Sequence, residues 1–350
     1  MEGRGEKGEG RTESGGPRMP VRRTRWVAAS CYSGCSPLRS TLSPRVFFAL
    51  VMVLGLPASD AHAKHVYKYT DANGIVHFTD QKPGDGVEHV ESTLVRTDHQ
   101  PLVTMREDGT DADRTLTFVN SAGGPVSVDL SFVDQANVRA DPALPLRVVL
   151  PGLSETRATR IGPVVPNASF RYQVSYSTLP GDYRAQQSPN AVYQLPFAHG
   201  LQFPIAQAFG GKATHTDKQN YYAVDIVMPE GTPILAARDG TVMTVDNDFY
   251  GAGLDLKQYG DRANNIRIAH SDGTMAVYAH LQLESAKVAV GDRVRAGQQL
   301  ALSGDTGYTS GPHLHFCIQV NANMQIVSVP FNFSAGGAAF QPEPGMMLGE

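Results

Sequence analysis

At 350 residues the chain is long enough for two or three domains with cores of their own. Its 30 Lys and Arg against 34 Asp and Glu leave a formal charge of -4, which excludes a polycation built to grip nucleic acid or anionic lipid. With 35 Gly and 23 Pro, short apolar runs bounded by Gly, Asp and Asn, and few amphipathic helical patterns, it reads as a mainly β, multi-domain protein.

Residues 1–63 read as a leader. Arg18, Arg22, Arg23, Arg25, Arg39 and Arg45 precede the apolar residues 46–56, and Ala61-His62-Ala63 follows. That order of basic region, short apolar core and small-x-small site is a secretory signal peptide, cleaved after Ala63. Residues 46–56 are too few to span a bilayer comfortably. Residues 1–18 resemble no targeting signal, and Met19 is taken as the true start. Cys31 and Cys35 fall inside the leader, which leaves Cys317 as the single mature thiol and excludes a disulfide framework. No cysteine follows the apolar stretch to carry a lipid anchor. The expected product is soluble and exported, to the periplasm or cell envelope.

Residues 64–92 form a compact unit. Two alternating runs, Val66-Tyr67-Lys68-Tyr69 and Ile75-Val76-His77-Phe78, flank Asp71-Ala72-Asn73-Gly74, the pattern of a β-hairpin. The unit resembles a short β module of unassigned function found near the N-termini of exported bacterial proteins. His77 is expected on the strand surface. Residues 93–113 are polar, with few apolar anchors, and read as a linker. Residues 114–186 carry short strands at 116–119, 126–130, 147–150 and 170–174, a β-sandwich-like domain without a catalytic cluster.

Residues 193–335 carry the chemistry, and 336–350 read as a C-terminal tail. His313 and His315, two apart in Gly-Pro-His-Leu-His-Phe, share one face if the segment is a strand. Alone the pair fits either a solvated strand face or a ligand beside a base. Three further segments accompany it: Phe209-Gly210-Gly211 through His215 to Tyr222-Ala223-Val224-Asp225, then Ala236-Ala237-Arg238-Asp239-Gly240, then Val277-Tyr278-Ala279-His280-Leu281. In this order they resemble the lysostaphin-like (LytM-type) zinc metallopeptidases, which hydrolyse peptide bonds in bacterial cell-wall peptidoglycan.

The resemblance implies a C-terminal antiparallel β-sheet metallopeptidase domain that binds Zn2+ through His215, Asp225 and His315. His313 and His280 match the two non-ligand histidines, whose roles are to take a proton from the attacking water and to stabilise the oxyanion. The first ligand departs from the pattern. Tyr221 stands where the family places its first His, and residues 216–220 are read as an insertion that moves the ligand to His215. His270 and His199 are expected outside the site. Cys317 is expected to face away from His313 and His315 as a buried strand thiol. The implied partner is peptidoglycan, with no nucleic acid, and the N-terminal modules leave room for a regulatory partner in the cell envelope. The alternative is an inactive relative that binds cell wall or activates a peptidoglycan amidase.

Overall fold

The computed structural model describes residues 64–70, 76–79, 90–95, 101–110, 112–260 and 262–349. The leader, Cys31, Cys35 and the Asp71-Ala72-Asn73-Gly74 turn lie outside the described residues. Strands make nearly all the regular structure, and among the described residues one short helix, Leu256–Tyr259, is present. No helix there is long and apolar enough to cross a membrane. This is the mainly β, multi-domain architecture that the sequence implies.

The N-terminal unit is a three-stranded sheet and not a bare hairpin. Lys64–Thr70 lies in the middle, with Val76–Thr79 and Glu91–Val95 antiparallel on either side. His77 stacks on Tyr69 with ring centroids 5.0 Å apart, on the strand surface.

The linker expected at 93–113 contains strand. Val103–Thr110 pairs antiparallel with Asp113–Asn120, from Val103↔Asn120 to Thr110↔Asp113, at the edge of a four-stranded sheet. Only Val103 of this strand is fully buried. An edge strand with one face in water needs no continuous apolar run, so its Thr, Arg, Glu and Asp residues hid it. The four-stranded sheet packs against a three-stranded one, Arg171–Pro180, Val126–Ala136 and Leu146–Leu150, around Leu116, Phe118, Val128, Leu130 and Ile161.

The C-terminal unit is built on an antiparallel sheet of nine strands. Its order is Arg293–Val294, Gly240–Asp246, Asn265–Ala269, Met275–Ala279, His313–Asn321, Val224–Val227, Phe203–Gln207 and Met347–Leu348, with Ile326–Ser328 also paired to His313–Asn321. Alternation divides the faces. Val224, Ile226, Tyr278, Leu314, Phe316 and Ile318 point into the core, and Asp225, His313 and His315 point the other way. The stretch 336–350 is no loose tail. Met347–Leu348 closes the sheet beside Phe203, and Leu348 is buried in the core. Two residues of pairing give too weak a periodic signal to read from sequence.

The central and C-terminal units share one apolar core, since Met243, Met275 and Ile326 pack among the central residues. The Gly123 N–H donates to the Met243 carbonyl at 2.9 Å. A Cβ at Gly123 would lie 2.0 Å from the Val242 carbonyl oxygen and 2.5 Å from the Gly291 nitrogen. This junction lies toward the Met275 and Asn321 ends of the strands, where Asn321 Nδ2 donates to the Gly181 carbonyl. From Asn321 to His313 is about 26 Å along an extended strand, so these junction residues lie far from the histidine end. The N-terminal sheet touches that end instead, with Phe78 against Leu283, and Tyr250 Oη donating to the Phe78 carbonyl.

Gly123→Ala is expected to cost about 1–3 kcal/mol by overpacking the junction. Urea unfolding should show the midpoint drop, and an unchanged midpoint would contradict the close approach.

Candidate metal centre

The register of two strands brings the donors together. Asp225 of Val224–Val227 lies opposite His315 of His313–Asn321, and Val227 lies opposite His313. Directly opposed residues of an antiparallel pair project from the same face, so Asp225 and His315 stand side by side. His315 Nδ1 is 2.9 Å from Asp225 Oδ1. His315 also lies opposite Ala279, and the chain leaves that strand at His280 in a left-handed conformation, φ 63°.

His215 arrives on a loop and not on a strand. The loop is closed at its base by the Gly210 N–H donating to the Tyr221 carbonyl at 2.7 Å. Within it Asp217 Oδ1 accepts from the Gln219 and Asn220 N–H groups. Residues 216–220 thus form a self-bonded turn that returns the chain to Asp225. His215 Nε2 ends 3.2 Å from Asp225 Oδ2. One ligand atom each from His215, Asp225 and His315 lies within 4.8 Å of the other two. His313 Nε2 is 3.8 Å from Asp225 Oδ1, and the His280 and His313 ring centroids are 4.5 Å apart. All five residues singled out in the sequence therefore meet at one end of the sheet.

Main-chain carbonyls fix the tautomers. Nδ1 of His215 lies 3.0 Å from the Ala208 carbonyl, Nδ1 of His280 2.7 Å from Thr306, and Nδ1 of His313 2.8 Å from Gly311. A carbonyl only accepts, so in each neutral ring the proton is on Nδ1 and Nε2 offers a lone pair. For His215 that Nε2 is buried without a hydrogen-bond partner, the ion-pair distance to Asp225 lacking hydrogen-bond geometry. Burial opposes the charge of Asp225, but the close approach of His215 and the hydrogen bond with His315 outweigh it and hold the carboxyl well below the usual carboxylate range. Burial likewise opposes a proton on His215, and Asp225 more than offsets it. The pocket between them favours positive charge. His280 is driven the other way, to about 3, by burial first and then by the rings of His313 and His315.

Residues 219–326 match the model of peptidase family M23, and residues 52–98 match a domain of unknown function, DUF4124. The segment 219–326 is a peptidase family M23 domain. Over 120 residues the chain is 38% identical to glycyl-glycine endopeptidase ALE-1 of Staphylococcus capitis, covering 33% of this chain and 30% of that one. Over 119 residues it is 38% identical to peptidoglycan DD-endopeptidase ShyC of Vibrio cholerae, covering 33% of this chain and 24% of that one. Among solved structures, the catalytic domain of lysostaphin from Staphylococcus simulans is 32% identical, covers 40% of this chain and 86% of that one, and superposes with a TM-score of 0.25. The chain spans less than a third of the length of these two curated relatives. His215 lies just ahead of the matched M23 segment, while Asp225, His280, His313 and His315 lie within it.

Sequence reading missed the residues that hold the M23 site in place. Gln207 Nε2 donates to Asp225 Oδ2 and Thr214 Oγ1, each at 2.8 Å, while its Oε1 accepts from the Ala213 and Thr214 N–H groups. It ties the carboxylate to the His215 loop. A Cβ at Gly211 would come 2.2 Å from Gln207 Cγ, which explains the glycine there. Asn264, fully buried, donates to the Phe249 and Leu281 carbonyls and accepts from the Phe249 N–H. Its own N–H donates to Thr306 Oγ1, so it also braces the residue whose carbonyl holds His280.

Cys317 is buried as expected, but on the same face as His313 and His315, since residues two apart in a strand share a face. It packs with Ala223, Val277 and Ala279 beneath the Gln219 carbonyl. His270 is outside the site. Its Nδ1 is 2.8 Å from the Asp239 carbonyl, and burial pushes it down to about 4. His199 is exposed, at the start of the unit.

Asn264→Ala should cost about 1–3 kcal/mol by leaving buried carbonyls unmatched, read by thermal unfolding; no loss would show that the bracing is dispensable. Unfolded His270 protonates near 6.5 and the folded ring only near 4. Between those values the unfolded state binds the extra proton, so stability falls as pH falls through that window, by ~3 kcal/mol in all. His270→Gln should flatten that part of the curve of stability against pH; the same slope in both proteins would contradict it.

Proposed function

We propose that this protein is an exported zinc metalloendopeptidase that hydrolyses peptide bonds in the cross-links or stem peptides of bacterial peptidoglycan. The observation that carries this reading is the convergence of His215, Asp225 and His315, with the Nε2 lone pairs of His280 and His313 beside them. Similarity to ALE-1 and ShyC supports the substrate class. The signal-peptide pattern ahead of Ala63 supports export.

The donor set suits zinc. Two imidazoles and one carboxylate are the ligand types of a hydrolytic site that keeps an open position, and His215 Nε2, buried without a hydrogen-bond partner, suits a cation. Bound there, Zn2+ would act as a Lewis acid on the scissile carbonyl and make water acidic enough to deprotonate near neutral pH. The chain's own residues supply the rest. His313 can take the proton of the attacking water at Nε2 while Nδ1–H stays on Gly311. The ring then carries two donors and can return that proton to the leaving amine. His280 is kept neutral beside it, by burial first and then by the neighbouring rings of His313 and His315.

The purified protein is expected to hold one zinc per chain and to release muropeptides from cell-wall sacculi. His215→Ala, Asp225→Ala and His315→Ala should each lose the metal. His313→Ala should keep zinc while turnover drops by about 10²–10⁴. Full activity in His313→Ala, or wild type without stoichiometric zinc, would overturn the reading. Wall binding without hydrolysis would favour the inactive relative.

A further inference from the structure

The sheet face that carries the metal ligands also carries a cation that the proposed reaction does not use. His315, Ala279 and Asn265 are directly opposed across three neighbouring strands. Two residues further along, Cys317, Val277 and Arg267 form the next row. Residues two apart in a strand share a face, so Arg267 projects on the side of His315. It lies two strands away, about 10 Å across the sheet and about 7 Å along it.

Arg267 lacks the direct carboxylate partner that several arginines of the protein have. Arg147 is bonded to Asp129, Arg238 to Asp272 and Arg160 to Asp113. The guanidinium of Arg267 makes one hydrogen bond among the described residues, from Nη1 to Gln319 Oε1 at 2.7 Å. Gln319 is itself held, its Nε2 donating to the Gln219 carbonyl at 2.9 Å. Asp246, a carboxylate that acts on it through space, accepts from Asn265 Nδ2. Among the described residues Nε and Nη2 of Arg267 make no hydrogen bond, and the side chain is only partly buried. That Nε/Nη2 edge is the one that takes a carboxylate in two parallel hydrogen bonds. Burial works against the charge of Arg267, so an anion that reached it would meet a cation already stripped of much of its water.

We propose that Arg267 is a specificity-determining residue that binds a free carboxylate of the peptide substrate, about three extended residues from the scissile bond. This rests on the peptidase reading of the site. Gln319, bonded to Nη1, holds the guanidinium by one end and leaves Nε and Nη2 for a carboxylate. The carboxylate could be the C-terminal one of a stem peptide or one on a side chain, and the two share the same chemistry.

The test is equilibrium binding, by calorimetry, of synthetic stem tetrapeptides to the purified protein and to Arg267→Gln and Arg267→Lys. The peptides have all carboxyls free, or the terminal one or the side-chain one amidated. Wild type should bind the free form about tenfold more tightly than one amidated form, and the form that loses affinity identifies the carboxyl. Arg267→Gln should bind free and amidated peptides alike, at the affinity of the amidated one, and Arg267→Lys should retain part of the preference. Equal binding of all forms by wild type would overturn the proposal, as would an equal loss for all forms in Arg267→Gln. The wild-type comparison stands even if a variant fails to fold. Preference for the carboxylate without hydrolysis of sacculi would leave Arg267 in place and sink the peptidase reading. Hydrolysis without preference would do the reverse.

Discussion

The site depends on the register between Val224–Val227 and His313–Asn321. Asp225 meets His315 because Ile226 meets Leu314 and Val224 meets Phe316. The second set is what fixes the pairing, since those four side chains are all buried in the main core. A slip of one residue would turn Asp225 into that core and send Ile226 to the donor position, exchanging every inside and outside residue at once. Apolar packing therefore aims the polar groups. The carboxylate and imidazoles contribute chemistry at a place that the hydrophobic alternation has already chosen.

Around this pairing the protein divides its loops by task. The His215 loop is held by its own turn bonds and by Gln207, a direct tie to Asp225. The wall that carries His280 is held by Asn264 and Thr306, which bond to each other and to neighbouring carbonyls. The central unit braces the opposite end of the same strands through Met243, Met275 and Ile326. The sheet is thus anchored at one end by apolar contact and finished at the other by buried polar bonds, where donors must be placed with little freedom.

Much of the site was legible because its chemistry lives in side chains of rare type at short spacing. His313 and His315 declare a shared face by their offset alone, Asp225 sits in a short apolar strand, and His280 directly follows another. Only the resemblance to a known family joined them, since pairing between residues 90 apart leaves no local signal. The edge strand Val103–Thr110 was invisible because water covers most of it. Gln207 and Asn264 were invisible for a different reason: their value comes from carbonyls and N–H groups brought near by the fold, which no residue name encodes. Cys317 was a plain misreading of period two, corrected by its neighbours Ala223 and Val277.

Three of the four histidines at the site rest their Nδ1 on main-chain carbonyls, those of Ala208, Thr306 and Gly311. A carbonyl belongs to every residue, so no single codon change at those positions can delete it. Side chains at 208, 306 and 311 can drift while the proton stays on the same nitrogen, as long as the backbone path is kept. Asp225 has no such insurance on its Oδ2 side, because its support is the amide of Gln207. Sequence drift in this protein should therefore disturb the carboxylate before it disturbs the imidazoles.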